Sequence, residues 1–267
     1  MSFSIAGRTA IVTGAAKGIG LAIGRHFANR GANVVFADMD EERLVAELGQ
    51  QTEDDNIRHF AGDLREKLTI ANLLSATIDA FDRVDILVNA SRQIVPSDPL
   101  SAEDDAVEML LQQNLITSLR LTQAVARRMI KQAEGQEGSG PGGAIINISS
   151  IAARRANPEL LGYSISTAAV DQMTRSMAVA LAPHRIRVNA IAFGSVMSAS
   201  LQNSLKDHTE YRVEIEECTP LHRIADPNEL VEAVQYLAGD ASGFMTGQVM
   251  TLDGGRTLID PVHAPAH

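Results

Sequence analysis

Only one cysteine, Cys218, and only four lysines, Lys17, Lys67, Lys131 and Lys206, occur in the 267 residues. A lone thiol closes no intrachain disulfide, which fits a reducing compartment, and Cys218 itself is expected to behave as an inert small hydrophobe. Basic residues are outnumbered 23 to 33, giving a net charge of -10. A surface for duplex nucleic acid needs the opposite balance, so no nucleic-acid partner is expected and any anionic ligand must be held by local dipoles. No apolar run approaches the roughly 20 residues that cross a bilayer, so no membrane partner is expected. The stretch from Met1 to Gly20 lacks the basic start of a signal peptide, and a cytoplasmic location is the expectation. Motifs of other enzyme classes are missing too. The histidines have no cysteine partner pattern, so no metal site is expected, and neither G-x-S-x-G nor G-K-[ST] occurs.

What is there is an alternation of short β-rich runs with longer helical periods. Expected strands are Thr9–Thr13, Asn33–Ala37, Ile57–Ala61, Asp85–Val88, Gly143–Ile148, Arg185–Ile191 and Gln248–Thr251. Between them the pattern predicts helices over Ile19–Arg30, Glu41–Leu48, Leu64–Ala80, Glu103–Ile130 and Tyr163–Ala182. In the fourth helix Val107, Leu110, Leu111 and Leu115 fall on one face. Strand cores rich in Val, Ile and Leu without alternation read as strands buried on both faces. The fold class is therefore α/β: a single-domain, Rossmann-type, doubly wound parallel sheet with helices on both faces. Residues 1–260 form one domain in this reading, and 261–267 an extended tail. Half of the ten residues from Glu134 to Gly143 are glycine, which predicts an exposed connection.

Between the first strand and the first helix stand Gly14, Gly18 and Gly20, with Lys17 and Ile19 interleaved. A tight turn, a close backbone approach and a closely packed helix each call for glycine, and the helix N-terminus then faces a pyrophosphate. Asp38 closes the second strand twenty positions beyond Gly18. A carboxylate there accepts hydrogen bonds from the adenosine ribose and repels a 2′-phosphate, by about 4 kcal/mol for a charge pair at ~4 Å and an effective dielectric of ~20. Lys17 argues for NADP, but a flexible solvated ammonium competes poorly with direct ribose contact. NAD is expected ahead of NADP.

Further along, Ser150 precedes Tyr163 by thirteen residues, and Asn114 lies upstream on the long helical pattern. Together with Thr13-Gly14-Ala15-Ala16-Lys17-Gly18-Ile19-Gly20, these residues resemble the short-chain dehydrogenase/reductase family from about Gly7 to Gly255. The resemblance implies a seven-stranded parallel sheet and a nicotinamide-linked interconversion of a secondary alcohol and a ketone, on a small hydroxy or keto substrate. It gives Tyr163 the proton transfer, Ser150 a hydrogen bond to the substrate oxygen, and Asn114 a water held through its backbone. Asp63 and Leu64 then face the adenine, and Asn89, Ala90 and Ser91 line the cofactor where the family has Asn-Ala-Gly. Gly194, Val196 and Ser198 border the nicotinamide, and residues 194–224 form a lid. The two long helices form a dimer interface, within a homodimer or homotetramer.

The sequence departs from that pattern where the chemistry is. The family carries Tyr-x-x-x-Lys; here the fourth residue after Tyr163 is Thr167. Free tyrosine titrates near pH 10, so bringing phenolate to neutrality takes about 4 kcal/mol of preferential stabilisation, much of which the family draws from the ammonium. Thr167 offers the ribose a hydroxyl without charge. None of the four lysines is expected nearby, and Arg154 and Arg155 are expected to face solvent or substrate. Slow or altered turnover is the expectation, with Thr167→Lys raising activity at neutral pH. Phe193 replaces the proline of a Pro-Gly pair, which predicts core packing for its ring and a looser loop after it. A non-catalytic NAD-binding sensor or partner subunit is the alternative.

Overall fold

A computed structural model describes residues 3–49, 55–101, 106–134 and 142–260. Strands β1 (Thr9–Thr13), β2 (Asn33–Asp38), β3 (Ile57–Ala61), β4 (Ile86–Asn89), β5 (Gly143–Ser150), β6 (Ile186–Phe193) and β7 (Val249–Leu252) form one parallel sheet in the order 3-2-1-4-5-6-7. The order reverses between β1 and β4. Ligands of open α/β sheets bind at such a switch point, beyond the carboxyl ends of the strands.

Helices cover both faces because the strands are apolar on both. On one face α1 (Gly18–Asn29) and α9 (Pro227–Ala238) bury Ile23, Phe27, Leu230 and Val234 against Val12, Val34 and Ile146. On the other, α3 (Lys67–Phe81), α5 (Thr117–Ala133) and α6 (Leu161–Leu181) pack Leu73, Leu121, Val125 and Leu181 against Ile11, Leu87 and Val188. At full burial each such side chain contributes about 1.5–3 kcal/mol. The edge strand β3 departs from the two-face expectation: every one of its residues is only half-buried, since it has a neighbour on one side.

Most expected elements appear within a residue or two, with α2 at Glu41–Leu48 and β3 at Ile57–Ala61 matching at both ends. Three differences bear on the site. β5 and β6 run on to pair Ser149 with Ala192 and Ser150 with Phe193, so the two serines beyond the expected strand end at Ile148 are strand. α6 starts at Leu161, before Tyr163, because Asn157 caps a 3-10 turn, Pro158–Leu160, that leads into it. The long helical pattern is broken: α4 (Ala106–Leu110) passes into a π-helical segment, Leu111–Ile116, before α5. Its expected start at Glu103 and the core of the glycine-rich connection, residues 135–141, lie outside the described residues, as does the tail 261–267. Beyond β6, residues 194–224 hold two short helices, α7 (Ala199–Asp207) and α8 (Glu210–Glu217).

Candidate active site

The turn after β1 is built by close backbone contact. A methyl on Gly20 would stand 2.2 Å from the Gly14 carbonyl oxygen, and one on Gly14 2.7 Å from the Ser91 Cα. Gly14 and Gly18 also sit at φ +63° and +58°, where a side chain is strained. Lys17 is extended and exposed, and α1 starts with no side-chain cap and no acid in its first turn. Bare amides at a helix start, with the positive end of its dipole, form an anion site. The residues present therefore fit a dinucleotide pyrophosphate, with Ile19 half-buried behind the turn.

Thr13 ties this turn to the next strand. Its hydroxyl accepts from the amides of Ala90 (3.0 Å) and Ser91 (3.1 Å), which seats the chain after β4 against Gly14. Along the sequence Thr13 only closes the first strand and opens the glycine motif; its position at the carboxyl end of an interior strand is the signal for this further role. Asp38 ends half-buried beside the same turn. Its carboxylate accepts from the Ala16 amide at 3.0 Å and the Asp40 amide at 3.2 Å.

Asp63 and Leu64 follow β3 as expected, but the Asp63 carboxylate is engaged. Arg65 donates to it from Nε (2.9 Å) and Nη2 (2.6 Å), and this hydrogen bonding holds the carboxyl below its usual range. Leu64 is buried. The Asn89 side chain is likewise turned inward, donating to Thr122 Oγ1 (3.0 Å) and to Asn147 Oδ1 (2.8 Å). Asn147 in turn donates to Thr174. That buried polar chain joins β4, β5, α5 and α6, leaving the backbone of Ala90 and Ser91 at the crevice. The Ser91 hydroxyl accepts from Gln113 at 3.2 Å.

Tyr163, Ser150 and Asn114 converge on the same edge of the sheet. Asn114 lies in the π-helical segment, a local widening that recurs at functional sites. Its Oδ1 accepts from the Gln93 amide (2.8 Å), while its Nδ2 donates to the Gln93 carbonyl and to Ser166 Oγ, both at 3.0 Å. Ser118 donates to the Asn114 carbonyl at 2.9 Å. Ser150 caps the turn after β5 by accepting from the Ala152 amide. Beside it Ser149 donates to the buried Asp171 at 2.6 Å; burial raises that carboxyl's pKa despite the bond.

The Tyr163 ring is buried, 3% exposed, and its hydroxyl accepts a 2.7 Å hydrogen bond from Arg92 Nη1. The same nitrogen donates to the Ser149 carbonyl at 3.3 Å, and the guanidinium carbon lies 4.2 Å from the centre of the Phe193 ring. A cation therefore does reach the tyrosine, against the expectation that none would. It comes from the loop after β4, two residues beyond Ala90, and no spacing rule on α6 points to it. Thr167 is buried, and its hydroxyl proton is directed to the carbonyls of Tyr163 (2.9 Å) and Ser164 (3.1 Å). The expected donation from Thr167 to a ribose is thus already spent inside the helix.

Phe193 packs as expected but does not loosen the chain, because it is the last paired residue of β6 and Gly194 donates onward to Leu252. Val196 bridges Ala225, and Ser198 caps α7 by accepting from the Leu201 amide. Arg154 donates to Thr251 and Arg155 to the Thr257 carbonyl, so both tie the turn after β5 to the β7 region. Cys218 is exposed, and among the described residues no cluster of metal-ligating side chains occurs. No helix among them is long and apolar enough to cross a membrane.

Residues 14–257 match the family model described as enoyl-(acyl carrier protein) reductase. An uncharacterised oxidoreductase of Mycobacterium tuberculosis is 35% identical over 257 residues, covering 96% of this chain and 94% of its own. A short-chain dehydrogenase/reductase of Aspergillus oryzae is 32% identical over 96% of this chain and 97% of its own. Among solved structures, a gluconate 5-dehydrogenase of Burkholderia cenocepacia, in complex with NADP and tartrate, superposes with a TM-score of 0.85 at 30% identity, covering 97% of this chain and 98% of that one. A match of sequence and architecture over nearly the whole length, on a sheet whose switch point carries a glycine-built anion site, makes this chain an oxidoreductase of the short-chain dehydrogenase/reductase family.

Proposed function

We propose that the chain interconverts a secondary alcohol and a ketone at the end of β5, with Tyr163 as the acid–base group. The observation that carries this reading is the convergence of Ser150, the buried Tyr163 and the cationic Arg92 on one edge of the sheet. The bound nicotinamide would supply the hydride exchange. Tyr163 holds or gives up the hydroxyl proton, Ser150 orients the substrate oxygen, and Asn114, anchored through Gln93 and Ser166, steadies the π-helical segment behind them. With Thr167 in the lysine position, the relay is altered. Assays following reduced-nicotinamide absorbance over a panel of alcohols and hydroxy acids, at neutral and alkaline pH, test this. Turnover is expected, and Tyr163→Phe should lower it by about a hundredfold or more, as general acid–base groups do. Tight cofactor binding without turnover at either pH would instead favour a sensor or partner subunit.

Cradle residues Gly14, Gly18 and Gly20 take the pyrophosphate of either NAD or NADP. The sequence-level preference for NAD is dropped, because a structural relative carries NADP. Asp38 favours an unphosphorylated ribose and Lys17 welcomes a phosphate, so Asp38→Ala should move the ratio of the two affinities toward NADP by about tenfold, or about 1.4 kcal/mol. An unchanged ratio would remove Asp38 from cofactor selection. Residues 1–260 act as one unit, in a reducing, cytoplasmic setting that the lone Cys218 favours. Assembly as a homodimer or homotetramer uses the long helices, where Val179 of α6 stands exposed.

A further inference from the structure

One departure of this chain from its family's motif pattern, Phe193, lies against a residue that no motif marks, and that residue reaches the tyrosine whose lysine partner is replaced by Thr167. Arg92 lies with its guanidinium carbon 4.2 Å from the Phe193 ring centre and 5.9 Å from that of Tyr163, and it donates to the tyrosine hydroxyl at 2.7 Å. Phe193 pairs with Ser150 across β5 and β6, so the aromatic platform stands beside the serine. We propose that Arg92 is the positioning cation of the proton-transfer site, delivered from the loop after β4, and that it favours the Tyr163 phenolate in place of the missing lysine. The inference deepens the acid–base reading of Tyr163 given above and rests on it.

Charge bookkeeping supports the assignment. Among the described residues no carboxylate forms an ion pair with Arg92, so its charge is not already neutralised. The residue is half-buried, and burial of the tyrosine strengthens any interaction between them. The other charged groups on the surrounding elements are committed or remote. Asp171 of α6 takes the Ser149 hydroxyl, Arg154 of the turn after β5 binds Thr251, and Glu108 of α4 and Glu159 before α6 are exposed. Asn114 and Ser166, which face α6 from behind, are neutral.

Guanidinium suits this position better than a second ammonium would. Its carbon lies over the Phe193 ring while Nη1 reaches the phenol, two contacts that a planar, multi-donor cation can make at once. An opposite charge within hydrogen-bond reach favours the ionised form of its neighbour, and burial alone works in the other direction. A guanidinium stays protonated throughout the alkaline range, so the effect does not fade as an ammonium's would.

Tyrosinate absorbance of the intact protein tests the idea without a substrate or cofactor, and the absence of tryptophan leaves that signal clean. The chain has three tyrosines, and the component that disappears in Tyr163→Phe belongs to Tyr163. Arg92→Gln is expected to move that component up by about one to two pH units. Adding Thr167→Lys to Arg92→Gln should bring it back down. Should Arg92→Gln fail to fold, Thr167→Lys alone decides: a large downward move of the component would mean that the wild type lacks a cation at the hydroxyl, and overturns the proposal. So does a curve that Arg92→Gln leaves in place, and so does a gain of turnover in that variant, which would make Arg92 a plug. A rise confined to KM for anionic substrates, with the titration unmoved, would assign Arg92 to substrate binding and likewise sink it. Because the titration reads the tyrosine directly, it separates this failure from an enzyme that simply does not turn over.

Discussion

The glycine-built turn after β1 and the corner around Tyr163 sit on the same sheet edge, yet they tolerate change very differently. At the turn, a methyl added to Gly14 or Gly20 would lie within 3 Å of backbone atoms that have no way to move aside, so each position admits one residue type. At the corner the work is done by charge and hydroxyl groups on flexible side chains. A cation there is defined by where its head lands, and Arg92 reaches the Tyr163 hydroxyl from a different element than the expected helix. Backbone-made sites are therefore fixed in sequence, while side-chain-made sites are fixed only in space.

The largest effect is expected where the contrast is sharpest. Gly20→Ala forces a methyl against the Gly14 carbonyl, an overpacking of about 1–3 kcal/mol. Cofactor affinity, read by quenching of reduced-nicotinamide fluorescence, should fall by about tenfold to a hundredfold, with a lower melting temperature. Unchanged affinity would mean that the turn is not the anion site. At the corner the opposite behaviour is expected. Thr167→Lys should raise neutral-pH turnover strongly in an Arg92→Gln background, by about tenfold or more, and only weakly in the wild type, where the two cations would crowd one hydroxyl. Equal gains in both backgrounds would show that the two positions act independently.

The smallest expected effect concerns Asp171, behind the corner. Burial raises its pKa above the unfolded value. A carboxyl raised in this way costs stability while ionised, and the cost disappears as pH falls through the folded value. Asp171→Asn should therefore gain most in melting temperature at neutral pH, and the gain should shrink toward acid. A gain independent of pH would point to packing instead of charge.

Much of this was legible along the chain. The alternation of strands and helices, the parallel sheet, and the placement of Gly14, Gly18, Gly20 and Asp38 all follow from local pattern. They are legible because parallel strands buried on both faces need long apolar runs, and because a tight turn against a helix needs glycine. What stayed hidden were the partners. The inward turn of Asn89 toward Thr122 and Asn147, the grip of Arg65 on Asp63, and the service of Thr13 to the chain after β4 depend on residues from separate elements.

The amino-acid order by itself determined the strand–helix alternation and the glycine-built turn, since each is written in the spacing of residues a few positions apart, whereas the strand order and its switch point came from the tertiary structure. Only the tertiary structure decided which cation serves Tyr163. Arg92 and Tyr163 are 71 positions apart, and the contact exists because β4 and β5 lie side by side with α6 packed against β5. A guanidinium acts through distance and orientation in three dimensions, and neither is encoded in any local repeat.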